Sequence, residues 1–282
     1  MKIVRNIQEI KPERPNGLII VYLLGYGGSI WHSRRHLNLL KNEGYTLLAM
    51  DFRDVLKNRD PQDLLTVMDE VDEVLQEHRL IAPNTLIVGV SMGGLIGFNM
   101  LKRHKALNKL LIITGGNMAL IPKSYKQKWP VSYTELEKIW EGVNIYTPLG
   151  TVKDKFITMV LPSRDKMIDP NQVADELDRL AVYNSVKVIR PKGGHFRTII
   201  TETMLRPKKS LHLITELANK SKTPLEPTLA ENLAQAEAIK AEMTELLRQL
   251  ETKVTGKSIA KPGGWRHHPQ EWAATNPTEK TR

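Results

Sequence analysis

Cysteine is absent from the 282-residue chain. Its absence excludes disulfides, thiolate metal sites and cysteine nucleophiles. Long hydrophobic runs are missing too, and nothing approaches the ~20 apolar residues that a membrane span needs. The opening MKIVRNIQEIKPERP has no apolar stretch of the kind a secretory signal carries. A cytoplasmic protein with no membrane span is the expectation. Aromatic residues are scarce, at 6%, and they do not interleave with the basic ones. A nucleic-acid groove is therefore not expected. There is no internal repeat.

What is present is globular composition, with 41% hydrophobic and 26% charged residues. The length suits one enzyme-sized domain with an appendage. The net charge is +10, unevenly distributed. From Thr223 onward eight Lys/Arg balance eight Asp/Glu, so the excess falls in residues 1–222, with 33 basic against 23 acidic. A solubilising surface is the favoured reading, and attraction of an anionic partner the alternative.

Apolar runs bounded by turn residues alternate with longer periodic stretches. Leu18 to Leu24, Tyr45 to Asp51, Thr85 to Val90, Lys109 to Thr114, Phe156 to Leu161 and Val186 to Arg190 read as strands. Residues 33–43, Pro61 to Arg79, Met92 to His104 and Pro170 to Tyr183 read as helices, with a last one within 198–220 interrupted at Pro207. The alternation predicts an α/β fold, a mostly parallel central sheet with helices on both faces. Lys2 to Ile10 could add an antiparallel edge strand. The 38 residues from Asn117 to Asp154 exceed an ordinary loop and read as a small helical cap. Beyond the core domain, 1–222, the signal TPLEPT marks a linker. Residues 223–254 form a helical extension, and the polar, turn-rich 255–282 a disordered tail.

The residues that carry chemistry begin at Gly89-Val90-Ser91-Met92-Gly93. This is G-x-S-x-G between a strand and a helix, the context of a nucleophile elbow. The turn must lift a serine off a strand end, and the flanking glycines let backbone pass close by. A nucleophilic serine needs an imidazole to take its proton and a carboxylate to orient the imidazole. Asp165 follows the strand FITMVL, and His195 follows VKVIR in the stretch PKGGHF. Both fall at carboxyl ends of strands, where ligand sites of open α/β sheets gather. Asp169 is the alternative acid.

The chain resembles the α/β-hydrolases of the small lidded esterase, lipase and thioesterase type, over about residues 15–220. In that family the acid turn reads apolar-apolar-Gly-x-x-Asp-x-x-Val-x-Pro. Val160 to Pro170 follows it with Pro162 in place of the glycine, and that register selects Asp165. The resemblance implies a Ser91–His195–Asp165 triad. It also implies an oxyanion hole from the backbone N–H groups of Met92 and Tyr26. It implies an acyl-enzyme mechanism on a small acyl substrate with no cofactor and no metal. Two departures are visible. Leu24-Gly25 takes the place of the family's His-Gly. Asp51-Phe52-Arg53-Asp54-Val55-Leu56 takes the place of Asp-x-Arg-Gly-His-Gly. A carboxylic ester or thioester hydrolase is the leading expectation. A catalytically silent scaffold that binds partners through its C-terminal helix is the alternative.

Other residues read more plainly. His32 and His36 have metal-ligand spacing but no third ligand, and a solvated or supporting role is favoured. Met92, Met100, Met118 and Met159 read as core and pocket filler. Lys123, Lys126 and Lys128 read as solvated charge rather than as guides for an anionic substrate. Trp265, His267, His268 and Trp272 suit either a docking peptide or an unstructured tail. Leu229, Leu233, Ala236, Met243, Leu247, Leu250 and Val254 approach a heptad, with Lys240 on the seam, and predict self-association through this helix.

Overall fold

The computed structural model describes Val4, residues 6–53, Val55, Asp60, 62–115 and 152–220. Beyond these it describes Lys240, Met243 and Thr244. The chain divides into two units, Met1–Pro224 and Leu225–Arg282. In the second unit, Thr244 Oγ1 donates to the carbonyl of Lys240 at 2.7 Å, a bond within one helical turn. The cap expected at 117–154 falls outside the described residues up to position 151, as does most of 223–282.

The first unit is built on seven strands: β1 (Asn6–Ile10), β2 (Ile19–Leu23), β3 (Thr46–Asp51), β4 (Thr85–Val90), β5 (Lys109–Ile113), β6 (Phe156–Val160) and β7 (Ser185–Ile189). Their order is β1-β3-β2-β4-β5-β6-β7. β1 runs antiparallel to β3, with Asn6 opposite Asp51. All other pairs are parallel. The helices are α1 (Ile30–Asn42), α2 (Asp63–Glu77), α3 (Met92–Arg103), α4 (Pro170–Ala181), α5 (His195–Ile200) and α6 (Pro207–Ala218).

The central strands are largely apolar because both faces are covered. Val21, Leu23, Ile87, Leu110 and Ile112 meet Leu64 and Met68 of α2, Phe98 of α3 and Leu177 of α4. The alternate residues Ile20, Tyr22, Val88, Leu111 and Ile113 meet Leu37 and Leu40 of α1 and Leu213, Ile214 and Leu217 of α6. Among the described strands β1, at one edge, is exposed along most of its length, and β7, at the other edge, exposes Ser185 and Lys187. The chain passes from β2 through α1 to β3 on one side. It then crosses through α2 to β4 on the other side of β2. The strand order therefore reverses between β2 and β4, and the crevice beyond their carboxyl ends is where such sheets bind ligands.

Two helix starts differ from expectation by three residues. α1 starts at Ile30, three residues ahead of the expected start at 33. The last helical stretch starts at His195 rather than 198. It passes through a π-helical turn at Thr201–Leu205, stops at Arg206 and restarts at Pro207. Proline has no N–H and disfavours helical backbone in the residue before it, which accounts for Arg206 at φ −130° and ψ 55°. Among the described residues no helix is long and apolar enough to cross a membrane.

Two buried lysines close helix ends. Lys155 Nζ donates to the carbonyls of His104 (3.3 Å), Lys105 (3.0 Å) and Leu107 (2.7 Å), just past the end of α3. Lys109 Nζ donates to Ala218 at the end of α6, 3.1 Å away. Burial pushes the Lys155 ammonium below its ordinary range, and Asp154 partly offsets this. Cations suit helix carboxyl ends, where carbonyls lack partners. Lys155→Met is expected to destabilise the fold by about 1–3 kcal/mol, through carbonyls left without a donor. An unchanged urea midpoint would contradict that account.

Candidate active site

Ser91 occupies the turn between β4 and α3 with φ 51° and ψ −115°. A positive φ is strained for a residue with a Cβ, and such strain concentrates at functional sites. The turn is tight enough to demand its glycines. A Cβ on Gly89 would lie 2.4 Å from the carbonyl oxygen of Gly93, and one on Gly93 would lie 2.1 Å from that of Leu23. The serine is held at both ends. Its N–H donates to Ile113 at 2.9 Å, and its carbonyl accepts from the N–H of Gly94 at 2.9 Å.

His195 opens α5, after the loop that follows β7. Its Nε2 lies 3.0 Å from Ser91 Oγ, and its Nδ1 lies 2.8 Å from Asp165 Oδ2. Both His195 and the Asp165 carboxylate are almost wholly buried. The other carboxylate oxygen, Oδ1, accepts from the backbone N–H of Met167 (2.8 Å) and Ile168 (3.2 Å). The carboxylate is thereby fixed in rotation, with Oδ2 facing the ring. Because Oδ2 accepts, Nδ1 carries the hydrogen, and Nε2 is left to accept from the Ser91 hydroxyl. Asp169 sits elsewhere. Its Oδ1 accepts from the N–H of Asn171 at 2.9 Å, in the position that caps α4 ahead of Pro170.

The loop after β2 closes on the same point. Gly28 N–H donates to the Gly25 carbonyl at 3.0 Å, and Gly27 has φ 71°, so Gly25 to Gly28 form a turn with Tyr26 at its second position. A Cβ on Gly25 would lie 3.1 Å from the Cβ of Ser91, so this turn and the elbow are in direct contact. Met92, the first residue of α3, is buried, whereas the Tyr26 side chain is half exposed. No protein-family model matches the sequence, and no curated protein matches it.

Solved structures do match. A Thermus thermophilus protein aligns with 18% identity and a TM-score of 0.59, over 76% of this chain and 94% of its own. A Pyrococcus furiosus esterase aligns with 17% identity and a TM-score of 0.52, over 77% of this chain and 93% of its own. The acylaminoacyl peptidase of Pyrococcus horikoshii aligns with 15% identity and a TM-score of 0.60, over 76% of this chain but only 40% of the peptidase. The chain has the α/β-hydrolase fold.

Within that fold the two sequence departures have local explanations. Leu24, in place of the family's histidine, is buried in the core beside α1 and α6. After β3, Asp51 accepts from Asn6 Nδ2 at 3.1 Å and from Arg53 Nε at 3.2 Å, while Phe52 and Val55 are fully buried. Apolar anchors thus replace the glycine-rich turn. Among the described residues no group of three or more His, Asp or Glu is arranged to hold a metal. His32 hydrogen-bonds Ser29 Oγ at 2.8 Å. His36 lies in the core, between Tyr22 OH at 3.0 Å and Ser210 Oγ at 3.1 Å. Met92, Met100 and Met159 are core residues. Met118, Lys123, Lys126, Lys128, Trp265, His267, His268 and Trp272 lie outside the described residues.

Proposed function

We propose that this protein is a serine hydrolase that cleaves a carboxylic ester or thioester through an acyl-enzyme on Ser91. The observation that carries the reading is the hydrogen-bond chain from Ser91 through His195 to Asp165, set on a strained elbow at the switch point of the sheet. His195 Nε2 takes the hydroxyl proton as Ser91 Oγ attacks the substrate carbonyl carbon. Asp165 stabilises the imidazolium that forms. The backbone N–H groups of Tyr26 and Met92 hold the oxyanion, each worth about 3 kcal/mol of barrier. The imidazolium then protonates the departing alkoxide or thiolate. Water enters, gives its proton to His195, attacks the acyl carbon and releases the acid, and Ser91 recovers its proton. Every step uses groups of this chain, substrate and water.

The test is covalent labelling. The esterase 2 of Thermogutta terrifontis, 13% identical with a TM-score of 0.57, was solved phosphoramylated by tabun. A fluorophosphonate is accordingly expected to add one equivalent to the wild type at Ser91. Ser91→Ala is expected to take up none while keeping its circular dichroism spectrum. A folded wild type that stays unlabelled would turn the reading toward a silent scaffold.

A further inference from the structure

A cavity of about 700 Å³ flanks the segment that carries His195. Its wall includes Lys192 from the loop before the histidine, and Arg197, Thr201, Glu202, Arg206 and Lys209 from the residues after it. Its size falls within the ordinary range for small-molecule sites, roughly 300–1,000 Å³.

Four cations thus face one carboxyl group. Like charges gathered in a concavity repel one another unless an anion joins them. Some basic residues elsewhere pair with carboxylates: Arg53 with Asp51, Arg103 with Asp69 and Asp72, and Lys187 with Glu216. Among the described residues Lys192, Arg197, Arg206 and Lys209 make no ion pair. Glu202, only 4% exposed, is the one acidic residue in the cavity wall. Burial pushes its carboxyl group above its ordinary range, with Lys209 opposing.

The backbone is arranged around this cavity. The π-helical turn Thr201–Leu205 bears Glu202 and ends where Arg206 N–H donates to Thr201 at 2.7 Å. Such turns are rare and recur at functional sites. α6 begins at the next residue, so the positive end of its dipole adds to the field. Ile200, Leu205 and the neighbouring Phe196 are exposed, and they give the surface beside the cations an apolar margin.

We propose that this cavity binds the phosphate group of a phosphorylated ligand. Phosphate offers several anionic oxygens to several cations, and guanidinium groups such as those of Arg197 and Arg206 meet it with two parallel hydrogen bonds. The phosphate can come from a soluble phosphoester or from a lipid headgroup. The site does not depend on the reaction at Ser91. It lies along α5 and the turn that follows; six residues of helix from His195 to Thr201 span about 9 Å.

The test is a titration of the full-length, ¹⁵N-labelled protein with inorganic pyrophosphate at physiological salt. Saturable binding is expected, with amide shifts concentrated at Thr198, Thr201 and Lys209. The double variant Arg206→Ala/Lys209→Ala, at two exposed positions, is expected to weaken it tenfold or more. Lys11→Ala/Lys105→Ala, also exposed and outside the cavity wall, should leave it unchanged. Absence of saturation, or equal weakening by both double variants, would overturn the proposal. A second arm identifies the source of the phosphate. Sedimentation with phosphatidic acid vesicles that pyrophosphate reverses, and that Arg206→Ala/Lys209→Ala abolishes, assigns a lipid headgroup. Pyrophosphate binding without sedimentation assigns a soluble phosphoester.

Discussion

Asp165→Asn is expected to lower kcat/KM for an activated ester by about 10⁴, equivalent to ~5 kcal/mol of barrier. Asp169→Asn is expected to change it less than about tenfold. The argument lies in which oxygen of Asp165 is already committed. Oδ1 accepts two backbone N–H groups, from Met167 and Ile168. An asparagine must keep its carbonyl oxygen there, since an amide NH₂ cannot accept. Its NH₂ then faces His195 Nδ1, which has to become the acceptor. The ring hydrogen moves to Nε2, and Ser91 loses its base. The imidazolium of the transition state would also lose its counter-charge. Asp169 by contrast caps α4, and asparagine caps a helix amino end as well as aspartate does. Steady-state rates of the two variants check the pair. Equal effects, or the reverse order, would place the acid at the wrong residue.

Much of this was readable from local pattern. Strands covered on both faces are continuous apolar runs, so β2, β4, β5 and β6 are legible from their own residues. The elbow is legible because its glycines fall within five consecutive residues, although the close approach that requires Gly93 comes from Leu23 on β2. The acid turn is assigned by the register of the family pattern that Val160 to Pro170 resembles, and Pro170 begins α4. What escapes the sequence depends on partners far along the chain. Lys109 and Lys155 look like ordinary polar strand flanks, and nothing near them announces that they close α6 and α3. The π-helical turn has no periodic signature of its own; it follows from Pro207 and from the contacts of the turns on either side. His36 is an intermediate case. Ser33, His36, Leu37 and Leu40 share one face of α1 at helical spacing, and that spacing puts the histidine on the buried side. Metal-ligand spacing to His32 competes with this signal, and the structure directs the two rings to different partners.

His36 carries the second large expectation, which concerns stability in mild acid. The ring is wholly buried, and burial lowers its pKa from 6.5 to about 4. Burial alone disfavours the charged form. Tyr22, which burial holds un-ionised, can donate its hydroxyl hydrogen to Nδ1. Nε2–H can then donate to Ser210 Oγ, whose own hydrogen goes to the carbonyl of Glu202 at 2.7 Å or of Pro207 at 3.0 Å. Protonation would place a charge on a ring that burial has removed from water. Since the folded pKa lies below the unfolded one, the unfolded chain takes the proton first as the pH falls. The stabilising contribution is complete above about pH 6.5, shrinks between 6.5 and 4, and is gone below 4. A shift of this size corresponds to about 3 kcal/mol at the acid limit. His36→Gln keeps one acceptor for Tyr22 and one donor for Ser210 but does not titrate. Unfolding free energies from urea titrations at pH 7.5 and 4.5 should therefore fall by ~2.5 kcal/mol more in the wild type than in this variant. If the two proteins lose stability in parallel, the acid sensitivity belongs to other groups, and the Tyr22–His36–Ser210 chain is a packing feature with no titrating role.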